Sequence, residues 1–386
     1  CPKVGVFRIC NFLAHARHSA TISLTNLYDE RRQMITKNIS FLENDIREEL
    51  ENYAVNLHEH NWCYTDRWLL ASCLQKAIRR GHGRIALSSA VNLYQLDKRM
   101  LQRRLLVTAY EDIGMGDLKA LAYVTHICTD TLFRKSVGEL KSYLYAASLL
   151  AGSHKCRATD QLYMICNHAE EGQEIREAIN ELSIRDIMRC ALDNKSELYT
   201  RAYAAQKLHA DKACNAITFM EQLPVSPPVI DICSVATSKM RDPLPVFIPL
   251  ILFRIVENTI LNKNDTGSPD PSKIPPYAFD PLHTRSGKEA VRLLRNEVSE
   301  LRPFTVKQIG KAIFHTESVL CDRELSSPEL DDLKAKNVEV SLRHGATPLD
   351  RHHELLSLAI KHMFNLNLIR AEAYQNHKPH LPSRML

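Results

Sequence analysis

The chain has 386 residues, with 50 Lys+Arg against 45 Asp+Glu and a net charge of +5. That length fits two domains or three, and 45% hydrophobic with 25% charged residues excludes disorder as the default. Only 12 glycines, roughly 3% against a usual ~7%, argue against β-sandwiches, propellers and nucleotide-binding α/β folds, whose tight turns need them.

Residues 1–60 read as an N-terminal helical extension. "NWCYTDRW" (61–68) then places Trp62, Tyr64 and Trp68 ahead of the first basic helix. Such aromatics either stack on exposed bases or, the preferred reading, form the core that seats the N-terminal segment. In residues 69–80, Leu70, Cys73, Leu74, Ala77 and Ile78 share one helical face, and Gly81 stands at the cap position. A second helix is predicted over 84–94. A third starts with Asp97 as N-cap and runs to Asp112, with Gly114 as its stop. The pattern repeats over 117–130, 134–151, 158–168, 172–192 and 196–221, the last two with breaks. Eleven of the 17 prolines fall between Pro224 and Pro281, and residues 263–276 read as a loop. The apolar stretch 244–261 has an uninterrupted core too short for a membrane span, so a buried helix is expected. Helices resume at 286–300, 304–317 and 350–372, while 326–348 reads as a polar loop. The expected fold is all-α, a helical array or bundle with domains at 1–60, 61–221 and 222–386.

The 11 cysteines form no C-x-x-C pair, which suggests buried thiols in a reducing cytosol rather than a disulfide framework or a zinc site. No basic segment followed by an apolar run opens the chain, so no secretory leader is expected. The expected location is cytoplasmic.

The charge is concentrated. Arg67, Lys76, Arg79, Arg80, Arg84, Lys98, Arg99, Arg103 and Arg104 lie between positions 67 and 110 with Asp97 as the only acid, a local +8 over a remainder of −3. Arg99 and Arg103 share a helix face, with Arg104 beside them. Such a patch either grips phosphates or pairs with acids elsewhere in the fold or in a partner subunit.

"LLASCLQKAIRRGHGRIAL" followed by "RMLQRRLLVTAYEDIGMGDLKAL" resembles the C-terminal, non-ATPase region of the replication-associated recombination protein A family, which includes the WRN-interacting protein. The matching positions are Lys76, Ala77, Ile78 and Arg79, then Arg103 and Arg104, then Glu111, Asp112, Ile113 and Gly114. Residues 137–163 are similar to a later helix and turn of that family, so the resemblance covers about 60–168. It implies a DNA-associated, self-associating helical module. No G-x-x-x-x-G-K-(S/T) loop is present, so ATPase activity is not expected.

Glu111 and Asp112 close a helix, where the macrodipole disfavours carboxylates. They either act as acids beside a DNA groove, as a base-excising glycosylase requires, or cap the next helix or bridge to Arg103 or Arg104. "YAFDPLHTRSGKEAVRLL" (277–294) gathers Asp280, His283, Thr284, Gly287 and Lys288 where a loop enters a helix. This is either an anion site or a structural turn. His344, His352 and His353 lack metal-ligand spacing, and no metal or cofactor is expected.

The resulting expectation is a DNA-binding protein of repair, replication or phage defence. Its phosphate contacts would be Lys76, Arg79, Arg80, Arg84, Arg99, Arg103, Arg104, Thr284 and Lys288. One alternative is a DNA glycosylase using Asp112, Glu111, Asp280 and His283. Another is a scaffold for an acidic protein. DNA and a second copy of the chain are the expected partners, and no membrane is.

Overall fold

A computed structural model describes residues 42–57, 62, 66–254 and 259–376. Most of the expected N-terminal extension, together with Tyr64, lies outside them. The fold is all-α, with one two-stranded antiparallel sheet pairing Ile260–Asn262 with Glu324–Ser326. No helix among the described residues is long and apolar enough to cross a membrane.

The first basic helix, Arg67–Arg79, starts where Asp66 Oδ1 accepts from the backbone N–H of Trp68 at 2.9 Å and of Leu69 at 3.2 Å. Its apolar face of Leu70, Cys73, Leu74, Ala77 and Ile78 is fully buried. Helix Gly83–Thr108 follows and breaks at Asp97, whose Oδ1 accepts from Met100 N at 2.9 Å. Asp97 therefore caps a new helical run, as expected. That run widens into a π-turn over Ala109–Ile113. Gly114 ends it with φ 49° and ψ −128°, a conformation that side chains disfavour.

Residues 131–152 form two helices rather than one, Thr131–Val137 and Glu139–Gly152, because Gly138 turns the chain at φ 94°. The end of the second is capped by the buried Lys155 ammonium. It donates to Leu150 O at 3.2 Å, to Ala151 O at 3.1 Å and to Ser153 O. Helix Ala158–His168 matches its predicted bounds.

The segment 326–348, expected as a loop, is mostly helix Pro328–His344. Ser327 caps it, Pro328 opens it, Glu329 and Asp331 lie in its first turn, and Arg343 and His344 in its last. Its buried face mixes Leu330, Leu333 and Val340 with Asn337 and Ser341, which blurs the apolar periodicity. Leu244–Arg254 is the expected buried helix, with Pro249 inside it.

The chain divides into two compact units. One holds Ala169–Arg254 with the chain up to Glu48; the other holds Glu49–His168 with the chain from Ile255 onward. The proline-rich segment is thus not a tether between consecutive domains. Its part up to Arg254 belongs to the first unit, while the loop 263–276 lies along the second, where Thr266 Oγ1 donates to Arg80 O at 2.9 Å and Asn264 Nδ2 to Cys321 O at 2.7 Å. The C-terminal helices of that unit close over a core that includes Val291, Leu294, Phe304, Ile313, Leu342 and Leu355.

Candidate active site

Three of the expected phosphate ligands point inward. Lys76, Arg79 and Arg80 are buried, and buried cations persist only when paired. Lys76 Nζ lies 2.9 Å from Asp280 Oδ2 and 3.6 Å from Glu317 Oε2, and donates to Tyr277 O at 2.9 Å. Arg79 Nε donates to Asp112 Oδ1 at 2.7 Å. Arg80 donates to Glu317 O at 3.0 Å and covers the Tyr277 ring at 4.4 Å. Arg370, itself buried, donates to Glu317 Oε1 at 2.6 Å. None of the three is exposed on the outer surface, although Lys76 and Arg79 form part of an inner pocket wall. The alternative reading, pairing with acids elsewhere in the fold, describes Lys76 and Arg79, while Arg80 is held by backbone carbonyls and the Tyr277 ring.

Glu111 and Asp112, adjacent on the π-turn, meet different surroundings. Asp112 is fully buried; Arg79 and Arg157 hold Oδ1, and Gln75 Nε2 donates to Oδ2 at 3.2 Å. Burial alone would raise its pKa, but Arg79 and Arg157 outweigh burial and hold it below the usual carboxylate value. Asp112 is thereby sealed among these partners, against the expectation of an acid open to a substrate. The expected cap of the next helix is provided by Asp117, whose Oδ1 accepts from Ala120 N at 2.9 Å.

Glu111 is only partly buried and makes no hydrogen bond or ion pair among the described residues. Burial, then the negative charges of Asp160 and Asp112, push its pKa up to about 8. It is therefore a neutral carboxylic acid at pH 7, able to donate a proton. Arg157 and Asp160, 2.5 Å apart, were not singled out from sequence; their i, i+3 spacing at the head of a helix is a common surface pattern.

The string Asp280-x-x-His283-Thr284-x-x-Gly287 closes on itself. Asp280 Oδ1 accepts from the backbone N–H of Leu282 and of His283, each at 2.8 Å, and from His283 Nδ1 at 3.0 Å. Thr284 Oγ1 donates to Asp280 O at 2.9 Å and accepts from Gly287 N at 3.0 Å, capping helix Arg285–Glu297. A Cβ at Gly287 would stand 2.1 Å from Asp280 O, so only glycine allows this close approach. Thr284 is consequently buried and committed to the turn, and the expected nucleic-acid contact from it does not exist.

Asp280 is buried, but Lys76 and then His283 outweigh burial and hold its pKa far below the ordinary value. Being ionised it can only accept, so His283 Nδ1 is the donor of this hydrogen bond. The His283 side chain is 69% exposed. Buried acid and exposed imidazole thus form an oriented Asp–His pair, the arrangement that prepares a general base.

These groups meet in one inner pocket of about 150 Å³, whose wall includes Ser72, Gln75, Arg104, Glu111, Asp280 and His283. Ser72 Oγ is buried there without a hydrogen-bond partner, as expected of a group awaiting a ligand. Arg104 has no ion-pair partner among the described residues. Trp68 and His283 also line an outer groove of about 760 Å³, with Arg285 and Lys288. Trp68 is 50% exposed, so it is not the core residue expected. Trp62 Nε1 donates to Pro271 O at 3.0 Å, a structural role. Arg84, Arg99 and Arg103 are exposed but line neither cavity. His344 stacks on His168 at 4.1 Å, and His352 bonds Thr347 O at 2.9 Å; they do not converge with His353 as a ligand set. No protein-family model, curated protein or solved structure matches this chain.

Proposed function

We propose that this protein is a nucleic-acid glycosylase, hydrolysing the bond between a damaged or modified base and its sugar in DNA. One observation carries the reading: a neutral carboxyl (Glu111) and an oriented imidazole (His283) line the same pocket, beside cations and an exposed indole. A carboxyl held neutral and an imidazole oriented by a carboxylate are the two kinds of group that acid–base chemistry needs. The resemblance of residues 60–168 to a DNA-associated module supports nucleic acid as the substrate.

In this mechanism His283 Nε2 takes a proton from water, and the water oxygen attacks the anomeric carbon. The carbon–nitrogen bond breaks and its electron pair leaves with the base. Glu111 protonates the departing base. Asp280 fixes the His283 tautomer and steadies the imidazolium that forms. Asp112, held ionised by Arg79 and Arg157, helps to keep Glu111 neutral. Arg104 is placed to donate hydrogen bonds to acceptor atoms on the base edge. Exposed Arg99, Arg103 and Lys288 would supply sequence-independent phosphate contacts.

The test is to incubate the full chain with oligonucleotides carrying damaged or hypermodified bases and to score alkali-labile abasic sites. Abasic sites that vanish in Glu111→Gln and in His283→Ala are expected. Abasic sites formed equally well by both variants would overturn the assignment. A protein that forms none, and whose captured partner resists nuclease, would instead be a scaffold.

A further inference from the structure

We infer that the outer groove is a track for single-stranded or locally unpaired nucleic acid, in which Trp68 stacks a base and helix Arg285–Glu297 carries the phosphates. The inference rests on the glycosylase reading and specifies the form in which that site takes its substrate.

The groove encloses about 760 Å³ against about 150 Å³ for the inner pocket, and the two share Trp68 and His283. The larger space therefore opens directly onto the candidate catalytic imidazole. Its positive wall is one helix face: Arg285, Lys288 and Arg292 are spaced three and four residues apart, a row about 10 Å long. Both acids of the lining are committed. Asp66 caps helix Arg67–Arg79, and Glu289 pairs with Arg292. Arg285 and Lys288 are exposed and make no ion pair among the described residues, so the net field in the groove is positive.

Trp68 adds what a purely electrostatic surface lacks. Half of this indole is exposed, and the Arg67 guanidinium lies 5.6 Å from its ring centre. Asp97 in turn holds Arg67 at 3.2 Å. A positioned aromatic plane beside phosphate-binding cations suits an unstacked base, because every base offers a π-face once it leaves the duplex. A stacked duplex base offers none, and its anomeric carbon could not approach a pocket as narrow as the one lined by Glu111. An acidic peptide would use the cations and leave the indole idle.

The experiment measures anisotropy of a labelled oligonucleotide, single-stranded and as the matching duplex, at several salt concentrations with the full chain. Single strand should bind at least tenfold tighter than duplex. Trp68→Ala should weaken single-strand binding about tenfold or more. Arg285→Ala with Lys288→Ala should lower the slope of log affinity against log salt by about 1.4, the effect of two lost phosphate contacts on a single strand. All three positions are exposed, and circular dichroism will confirm that the variants fold. Base release from the oligonucleotide should fall in these variants. Duplex binding as tight as single-strand binding overturns the inference, as does wild-type behaviour of both variants. If base release depends on Glu111 but the groove variants bind normally, the groove falls and the glycosylase stands. If Trp68-dependent single-strand binding occurs with no base release from any substrate, the groove stands and the glycosylase falls.

Discussion

Glu111 and Asp112 are neighbours in sequence with opposite chemistry. Asp112 sits among Arg79, Arg157 and Gln75 and is ionised; Glu111, pushed up by burial first and then by the negative charges of Asp160 and Asp112, keeps its proton. If Glu111 is the acid, Glu111→Gln should slow base release about 10²- to 10⁴-fold, the usual span for losing general acid catalysis. The rate should also fall as pH rises through about 8, where Glu111 ionises. Stability carries the same sign. The folded state holds this proton more tightly than the unfolded chain, so the contribution of Glu111 declines from near pH 4.5 until pH passes about 8. Melting temperatures of wild type and Glu111→Gln, compared at pH 6 and pH 9, will check this: the variant should gain on wild type at the higher pH. Arg79→Ala should be costly in a different way, because it leaves Asp112 buried with half its compensation. Breaking a buried pair typically costs about 3–5 kcal/mol, readable by denaturant titration.

At the level of elements, two local devices set the site: the π-turn at Ala109–Ile113 and the closed turn from Asp280 to Gly287. Gly287→Ala would drive a methyl into Asp280 O and push helix Arg285–Glu297 off the turn. The expected cost is about 1–3 kcal/mol in stability, with a larger loss of base release because His283 shifts. Both devices were legible in the sequence as strings, since their residues lie within a few positions of one another. The direction of the basic helix was not. Helix Arg67–Arg79 is buried on nearly every side, and its polar positions look the same in sequence whether they face water or acids. The helix at Pro328–His344 was hidden for a related reason: Asn337 and Ser341 occupy buried positions where the pattern expects apolar residues.

Across the molecule, the site joins segments that are remote along the chain. Lys76 bonds Tyr277, which lies 201 positions away, and Arg80 bonds Glu317, 237 positions away. Such partners leave no mark in local spacing, which is why Glu317 and Arg370 could not be found from sequence. The same dependence predicts that residues 49–168 expressed alone will lack a cooperative thermal transition. Lys76 would be buried in that fragment without Asp280 and Glu317, and Arg80 without Glu317 O and the Tyr277 ring. A sharp transition in the fragment would show that the ion network is dispensable. The central claim is that Glu111 donates the proton that releases a base. Its most direct test is single-turnover release of free base from a modified-base oligonucleotide by wild type and Glu111→Gln, each confirmed folded by its melting curve. Release by wild type with a loss of about 10²-fold or more in the variant is predicted. Equal rates from both proteins would contradict the account.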